Sequence, residues 1–568
     1  MNRARWYFTL LPLIAALLAI CSVLLTSSYG GYPLACRLII PILILSVYTS
    51  AACMSWIFAV VLSKRVLPSI KMQDVPSDSK TVVVIPCLLS SFEIIDRLIE
   101  NLRNHYYANI CSNVSYHLLS DYKDADERVV EGDAELLSYT LKKIDELNGN
   151  ISNVFGLINR FRTWSPTEMV WMGRERKRGK LEELNKYLLG QDRGAFDVVH
   201  CDPDHLKNVQ YVITVDADTM LPCGSVISLI GTISHPENHK FDLIQPGVGA
   251  SPGEPVNIYQ WIMFPLFPPL SVFQDLFGKT KYVGKGIYSV QKFHSKLAGQ
   301  FPEGWVLSHD VLESCFLSVG SSEGAALYEK NPETVAETMS RLHRWYRGDW
   351  QSLPWVLPGR VRQRLAEFRD IRPQKLTHVE VWRLLELMFG SLQAPAKLFL
   401  LLLAGPEYFL FALAMVLTFD FTSSGMVVLS QLARGNKAVA QATIVRIVMR
   451  QIFSLFLLPA FGKLALDAII RALFRMFVSK RFRLEWSAFA EWKISSKESR
   501  MTPREFYPNY VVGGFLFVVA VIAGNYFMAT FSLIFIAFPL VVPIFEKTRP
   551  PVALEVTLSN DSGVPPIE

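Results

Sequence analysis

Two carboxylates separated by one residue, Asp216 and Asp218, follow the short β-branched run Tyr211–Val215. Such a run is typical of a buried parallel strand. Acidic side chains at the carboxyl edge of an α/β sheet can hold a hard divalent cation together with the diphosphate that the cation neutralises. Because aspartates are also common in turns, the pair alone fits a metal site and a capped turn about equally well.

Asp121 comes just after a second strand-like run, Val114–Leu119. In that position its carboxylate could accept hydrogen bonds from a uracil base or a ribose. A solvated acidic turn is the alternative, and it fits the neighbouring Asp124 and Asp126 better than Asp121.

A cluster of basic residues precedes the DxD pair and opens an amphipathic helical pattern, WMGRERKRGKLEELN, over residues 171–185. A lysine in the first turn of a helix is suited to binding a diphosphate, because the helix N-terminus adds its own positive potential. Runs of charge are more often solvated helix faces. We therefore assign the diphosphate to Lys180, and treat the other cations, Arg174, Arg176, Lys177 and Arg178, only as a group.

Asp310 begins another helical pattern in the sequence SHDVLE, with Glu313 three residues later. A carboxylate beside a hydroxyl nucleophile can act as the general base that takes its proton. Asp310 could instead be a helix N-cap, with Glu313 completing a capping box. We favour the base because of the segment that follows.

That segment, RLHRWYRGDW, contains Arg341, Arg344 and Trp345 within five residues. A guanidinium group can bind two oxygens of a phosphate in a bidentate manner, and an indole face offers an apolar platform for a sugar ring. An amphipathic helix at a membrane surface would be rich in the same residue types, and this alternative suits Trp350 and Trp355.

The chain that must position these groups has 568 residues, of which 51% are hydrophobic and 19% charged. The runs Tyr7–Leu25 and Leu38–Leu62 contain no charged residue, and each is about long enough for a helix to cross a bilayer. A cleaved signal peptide is a weaker interpretation of the first run, because its apolar stretch is too long. Basic residues before the first run and after the second place residues beyond Lys64 in the cytoplasm.

The pattern divides the chain into four parts. Residues 1–71 form two transmembrane helices, and residues 72–378 form one α/β domain in the cytoplasm. Residues 379–549 form interfacial helices and three to four transmembrane helices, and residues 550–568 form a disordered tail. The formal charge of +6 is small for this length, so it indicates contact with the lipid bilayer and no nucleic acid partner.

In their order along the chain, these motifs resemble those of the processive GT-A polysaccharide synthases, which usually carry QxxRW where this chain has RxxRW. Five segments are more closely similar to the glycosyltransferase segment of cyclic β-1,2-glucan synthases, the family-84 glycosyltransferases: WMGRERKRGKLEELN, YVITVDADTMLP, FGKTKYVGKGIYSV, FPEGWVLSHDVLES and RLHRWYRGDWQSLPWVLP. A later segment, FRLEW, which ends at Trp486, looks like their membrane region.

The resemblance implies an α/β GT-A-like domain, a Rossmann-like nucleotide-sugar fold, inserted between the transmembrane α-helices of a polytopic membrane protein. It implies UDP-glucose as donor, Mg²⁺ or Mn²⁺ as cofactor, a growing β-1,2-linked glucan as acceptor, and a location in the inner (cytoplasmic) membrane. The implied roles, carried over by position, are uridine contact for Asp121, nucleotide and metal binding for Asp216 and Asp218, diphosphate binding for Lys180, Arg341 and Arg344, the catalytic base for Asp310, and acceptor binding for Trp345 and Lys285.

Cyclic glucan synthases continue into a phosphorylase-like region that sets product length, and no such region follows Phe545 in this sequence. We therefore expect a separate length-controlling or cyclising enzyme as a partner. A polyprenyl-phosphate glycosyltransferase that adds single sugars to a lipid carrier is the alternative enzyme. An inactive membrane scaffold or transporter is a further alternative, which the presence of Asp216, Asp218, Asp310 and Arg344 disfavours.

Overall fold

The computed structural model describes residues 3–62, 66–192, 194–251, 256–264, 272–369, 371, 375–433, 437–485 and 503–550. Three features of the sequence lie outside these ranges: the basic residues Lys64 and Arg65, the residue Trp486 of FRLEW, and the predicted disordered tail beyond residue 550.

Eleven strands are described: β1 (Thr81–Leu89), β2 (Val114–Tyr122), β3 (Phe155–Arg160), β4 (Thr163–Ser165), β5 (Val170–Met172), β6 (Phe196–His200), β7 (Tyr211–Thr214), β8 (Thr219–Met220), β9 (Leu243–Ala250), β10 (Gly286–Ser289) and β11 (Val319–Glu329). Nine of them form one mixed sheet in the order β6-β3-β2-β1-β7-β10-β9-β11-β8, and β4 pairs with β5.

The α-helices of the described residues, numbered along the chain, are α1 (Arg3–Val61), α2 (Phe92–Ala108), α3 (Asp133–Asn150), α4 (Arg176–Leu188), α5 (Ser225–Ile233), α6 (Ile258–Met263), α7 (Val272–Phe277), α8 (Val290–Leu297), α9 (Asp310–Phe316), α10 (Val335–Gln351), α11 (Leu353–Val356), α12 (Gly359–Arg362), α13 (His378–Ala404), α14 (Phe409–Ala433), α15 (Lys437–Phe456), α16 (Leu458–Phe474), α17 (Tyr507–Ile522) and α18 (Tyr526–Lys547).

Strand β1 shows why the sheet is covered on both faces. Its alternate residues Val83 and Ile85 belong to a core that includes apolar residues of α2, whereas Val82 and Val84 belong to a second core that includes residues of α4. Side chains along a strand point alternately to opposite faces, so a strand that is apolar at every position must be buried on both sides. The run of valines thus places α2 and α4 on opposite faces of the sheet.

The strand that begins at Thr81 continues through Pro86 to Leu89, three residues beyond the apolar segment TVVVIP. Proline cannot donate a ladder hydrogen bond and is tolerated where one edge of a strand is free. Strand β7 pairs with β1 only as far as Val84, so Pro86 lies past the end of that neighbour.

Several helices outside the sheet are strongly apolar. Among the described residues, four are long and apolar enough to cross a membrane, Arg3–Phe58, His378–Ala404, Pro406–Gly425 and Tyr526–Lys547, and the bent pair Thr443–Phe456 with Leu458–Ser479 makes a fifth if it is one span. These helices are consistent with a membrane protein, and the exact number of crossings stays a prediction.

The first helix contains a break that divides it as the sequence indicated. Gly31 has φ 72° and ψ 178°, which is not helical, although the flanking residues are helical on both sides. A straight helix of 56 residues would be about 84 Å long, far more than a bilayer requires. The segment between the two charge-free runs, residues 26–37, is therefore helical except at this glycine.

The apolar run of residues 510–545 is also divided. Helix α17 ends at Ile522 and α18 begins at Tyr526, with Gly524 between them at φ 68°. The side chain of Asn525 caps α18 by accepting a hydrogen bond from the Met528 backbone N–H at 2.9 Å. A glycine followed by an N-cap residue explains why the break falls here.

Candidate functional site

The sheet topology brings five charged residues to one edge. Strands β3, β2, β1 and β7 are parallel, so Arg160, Asp121 and the residues after β7, including Asp216, lie at the same end. Strand β10 is antiparallel to β7 and to β9, so its beginning, next to Lys285, lies at that end too. Strand β11 is parallel to β9 and ends there at Glu329.

Three carboxylates form the centre of this edge. Oxygens of Asp216, Asp218 and Glu329 lie within 4.8 Å of one another and could hold a metal ion. Glu329 also accepts a hydrogen bond from Thr219 Oγ1 at 3.0 Å. A cluster of three carboxylates is the donor set that hard cations such as Mg²⁺ and Mn²⁺ prefer, so the residues present fit such an ion.

Two lysines already balance part of this negative charge. Lys285 Nζ lies 3.1 Å from Asp216 Oδ2 and contacts Glu329, and Lys177 Nζ contacts the other oxygen of Asp216. Although burial opposes ionisation, these two cations hold the pKa of Asp216 well below its usual range. Burial and the charges of Asp216 and Glu329 raise the pKa of Asp218. Asp216 is thus stabilised in its ionised form, whereas a bound cation would favour the ionised form of Asp218.

Asp121 lies inside β2 and belongs to a second, buried charge cluster. Arg160 binds both of its carboxylate oxygens, at 2.7 and 2.9 Å, and Lys180 Nζ lies 3.0 Å from Oδ2. Arg160 also donates to Glu183 Oε2 at 2.5 Å. Burial would raise the pKa of Asp121, but Arg160 and Lys180 keep it below its usual value. A side chain at Gly173 would collide with this carboxylate, at 2.2 Å from Oδ2, so Gly173 packs directly on it.

The basic cluster of the sequence is divided among several partners. Arg176 binds both oxygens of Asp124, at 2.6 and 2.7 Å, Arg174 pairs with Glu303 at 2.7 Å, and Arg178 pairs with Glu175. Lys177 is the member of the group that reaches the DxD pair, where it also donates to the Gly284 carbonyl at 2.7 Å.

Helix α4 begins at Arg176, so Lys177 lies in its first turn and Lys180 in its second. The side chain of Lys180 is 4% exposed and donates to the Cys87 carbonyl at 2.6 Å, besides its pairing with Asp121. The side chain of Lys177 is 22% exposed. The first-turn lysine that the sequence suggested for a diphosphate therefore corresponds to Lys177, one turn before Lys180.

Asp310 lies at the start of α9 with its side chain 28% exposed. The N-cap position belongs to His309, whose side chain makes no capping hydrogen bond, and Glu313 accepts from His309 Nδ1 at 2.8 Å. The capping-box alternative is therefore not the arrangement observed. A side chain at Gly284 would lie 2.7 Å from Asp310 Oδ2 and 3.3 Å from Lys177 Nζ, so all three residues meet at one point.

Helix α10 carries the RxxRW motif to the same place. Burial and the neighbouring Arg341 lower the pKa of Arg344, while the carboxylates of Asp216, Asp310 and Asp218 oppose that shift. Arg344 is therefore within electrostatic reach of all three acids. The guanidinium of Arg341 lies 5.6 Å from the centre of the Trp345 ring, a cation–π distance, and Trp345 is 43% exposed.

A glycine allows α10 to approach the Asp310 turn. A Cβ added at Gly348 would lie 2.2 Å from the Cβ of Ser308, which is closer than any real contact. The RxxRW helix and the turn that carries Asp310 are thus in direct backbone contact, and this contact fixes the distance between Arg344 and Asp310.

The structure brings most of the predicted site residues together around the DxD pair: Asp216, Asp218, Lys285, Asp310, Arg341 and Arg344. Asp121 and Lys180 form the adjacent buried cluster with Arg160. Residues that the sequence analysis did not single out are Lys177 as an individual, Glu329, His309 and Arg160. The sequence contains a weak signal for Glu329. This residue directly follows the apolar run AALY, as Asp216 follows YVITV.

The mixed α/β sheet and the apolar helices fit the class of membrane proteins that carry a Rossmann-like domain. No family model matches the chain. Over 457 residues, 74% of this chain and 16% of the relative, it is 31% identical to cyclic β-(1,2)-glucan synthase NdvB of Rhizobium meliloti (strain 1021). The predicted resemblance is confirmed: the chain is related to a segment of this glucan synthase, and it spans about a sixth of the length of that curated relative.

Proposed function

We propose that this chain is an inverting membrane glycosyltransferase of GT-A type that polymerises glucose from UDP-glucose into a β-1,2-glucan. The observation that carries the proposal is that the DxD pair, Asp310 and Arg344 meet at one sheet edge although they are far apart in the sequence. The similarity to a cyclic β-(1,2)-glucan synthase supports the choice of glucose and of the linkage.

The positive groups of the site support a diphosphate-bearing donor. Lys177, Arg341 and Arg344 surround the acidic centre from two helices, α4 and α10. Guanidinium and ammonium groups that are held in place by packing stabilise negative charge as it develops on a leaving diphosphate. We assign Lys177 and Arg344 to the diphosphate. Asp121 and Lys180 then support the uridine end of the donor pocket from the buried cluster with Arg160.

Asp216, Asp218 and Glu329 would hold the Mg²⁺ or Mn²⁺ ion, since their oxygens are close enough to share one. When bound, the ion would neutralise charge on the diphosphate as a Lewis acid. Lys285 lies within this cluster and keeps two of the carboxylates, Asp216 and Glu329, partly compensated.

Asp310 is suited to the role of general base. Its side chain is partly exposed, and its Oδ2 points to the Gly284 turn beside Lys177. In the proposed step, Asp310 takes the proton of the acceptor hydroxyl, whose oxygen bonds to the anomeric carbon as the bond to the diphosphate oxygen breaks. A single displacement on an α-linked donor gives a β-linkage. Positioning and electrostatics supply the catalysis, because no covalent intermediate forms.

The apolar helices and the exposed Trp345 support a polymer acceptor at a membrane. The exposed indole of Trp345, which follows Arg344 on α10, would give the acceptor sugar an apolar platform. We place the catalytic domain on the cytoplasmic side of the inner membrane.

The test is to incubate the purified chain with radiolabelled UDP-glucose and Mg²⁺ and to analyse the product. The proposal predicts a labelled polymer of high apparent mass on gel filtration, with 2-linked glucose as the main derivative in methylation analysis. A label found only in a butanol-extractable lipid would instead support the polyprenyl-phosphate transferase. Release of no UDP from any nucleotide-sugar would contradict both enzymes and support the inactive scaffold.

A further inference from the structure

A buried histidine links the proposed catalytic base to a second carboxylate that has no part in the reaction described above. His309 Nε2 lies 3.2 Å from Asp310 Oδ1, and Nδ1 lies 2.8 Å from Glu313 Oε2. His309 is 5% exposed and Glu313 is 2% exposed. The three side chains thus form a carboxylate–imidazole–carboxylate line whose outer end is the partly exposed Asp310.

The two carboxylate contacts of the imidazole differ in kind. The Nδ1 contact with Glu313 is a hydrogen bond, whereas the Nε2 contact with Asp310 is an ion-pair contact at 3.2 Å. Burial alone would lower the pKa of His309, but the charges of Glu313 and Asp310 raise it above its usual value. Lys177, from α4, is the positive group that opposes this shift. The two neighbouring carboxylates therefore favour the positively charged form of His309.

This contact engages only one oxygen of Asp310. Oδ1 faces His309, whereas Oδ2 lies toward the Gly284 turn and Lys177. The backbone around the pair is held as well, because Gly348 of α10 packs against Ser308, the residue before His309. Rotation of the Asp310 carboxylate would move Oδ1 away from the imidazole, so this ion-pair contact favours the orientation in which Oδ2 faces the Gly284 turn.

We propose that His309, itself held by Glu313, is a positioning residue that orients the Asp310 carboxylate so that Oδ2 receives the proton of the acceptor hydroxyl. The inference rests on the proposed function, since it assigns a role toward the base of that reaction. Histidine supports for reacting groups act by fixing orientation, and a misplaced group of this kind costs roughly 10- to 100-fold in rate. We expect the loss in kcat and not in the KM for the donor, because the proposed donor contacts do not involve Asp310 Oδ2.

Two substitutions separate positioning from packing. His309→Gln places its amide nitrogen near the position of Nε2 and keeps a polar contact with Asp310, whereas His309→Asn places its amide near Nδ1 and reaches only Glu313. We expect His309→Asn to lower kcat by about 10- to 100-fold with KM for UDP-glucose within about twofold of wild type, and His309→Gln to restore most of the loss. Glu313→Leu removes the acceptor for Nδ1 at similar volume and should lower kcat like His309→Asn.

His117 provides the matched control, because it is a fully buried histidine in β2 whose Nε2 lies 2.9 Å from a neutral group, Ser115 Oγ. His117→Asn and His117→Gln should lower the unfolding temperature and leave kcat of the folded fraction unchanged. All variants are compared by UDP release and by thermal unfolding of the full chain in detergent.

Equal losses of kcat in His309→Asn and His309→Gln, or a rise in KM at unchanged kcat, would overturn the positioning role. If the His309 variants do not fold, wild-type kcat in Glu313→Leu overturns it. Wild-type turnover is measured in the same series. Its absence would contradict the proposed function itself, whereas normal wild-type turnover with no difference between the two His309 variants contradicts only the role of His309.

Discussion

Substitution by methionine should have different effects at two lysines one helical turn apart. Lys180→Met should mainly lower the unfolding temperature, whereas Lys177→Met should mainly lower the rate of UDP release. Lys180 is buried against Asp121 and Cys87, so Lys180→Met removes half of a buried ion pair. Breaking such a pair costs about 3–5 kcal/mol, and we expect the lower end because Arg160 still binds both oxygens of Asp121. A loss of about 3 kcal/mol lowers the unfolding temperature of a domain of this size by roughly 6–12 °C.

Lys177 faces the site and its side chain is more exposed, at 22%, as is that of its partner Asp216, at 37%. Ion pairs with this degree of exposure contribute about 1 kcal/mol or less to stability. Removing a positioned cation from a developing negative charge, however, costs about 10²–10³ in rate. Lys177→Met should therefore unfold within about 3 °C of wild type and lose most of its UDP release.

The assay is intrinsic tryptophan fluorescence during heating, together with UDP release from UDP-glucose at saturating Mg²⁺. Lys186→Met is the control, because Lys186 is on the same helix and pairs at the surface with Glu182 at 3.1 Å. A Lys180→Met variant with unchanged unfolding temperature and no activity, beside an active Lys177→Met variant, would refute the assignment of the diphosphate contact to Lys177.

Further substitutions test other contacts. Gly348→Ala should lower the free energy of unfolding by about 1–3 kcal/mol and lower kcat, because its Cβ would overlap Ser308. Gly359→Ala is the control and should behave as wild type, because the space around Gly359 is open. Equal unfolding temperatures and rates in the two variants would contradict the contact. Burial raises the pKa of Asp349 to about 7. The native state thus holds a proton that the unfolded chain has lost, so wild-type stability should fall as pH rises from about 4 to 7, and Asp349→Asn should remove that decline; parallel curves of unfolding temperature against pH would count against it. Glu329→Gln should weaken Mn²⁺ binding, followed by electron paramagnetic resonance, by on the order of tenfold, and unchanged affinity would exclude Glu329 as a ligand.

The sequence was most informative where one short run carries its own signal. Asp216 directly follows the β-branched run YVITV, and the charge-free run of residues 510–545 contains Gly524 where two helices meet. In both places a local pattern, either a β-branched run or a length too great for one span, is sufficient to locate the element.

Other features depend on contacts that no local pattern encodes. Glu329 joins the DxD pair because β11 pairs in parallel with β9, a strand some 75 residues earlier in the chain, and antiparallel with β8, where Glu329 lies opposite Thr219. Helix α4 begins at Arg176, and both Glu175 and Arg176 adopt positive φ angles, 54° and 52°. The sequence does not indicate such angles for these residue types. Lys177 therefore takes the first-turn position that Lys180 was expected to occupy.

The contact between His309 and Asp310 could not be predicted from the sequence for a similar reason. Asp310 and Glu313 have the spacing of a capping box, and the sequence cannot distinguish that arrangement from one in which His309 lies between the two carboxylates. Packing of α10 on Ser308 determines the turn, and Gly348, 40 residues away, makes that packing possible.

The central claim is that Asp310 acts as the base within a site that binds the sugar donor by other groups. The most direct measurement is donor binding and transfer by Asp310→Asn, using titration calorimetry with UDP-glucose and Mg²⁺ beside UDP release. We predict donor affinity within about threefold of wild type and a rate lower by about 10²–10⁴. Loss of donor binding, or UDP release at the wild-type rate, would contradict the assignment.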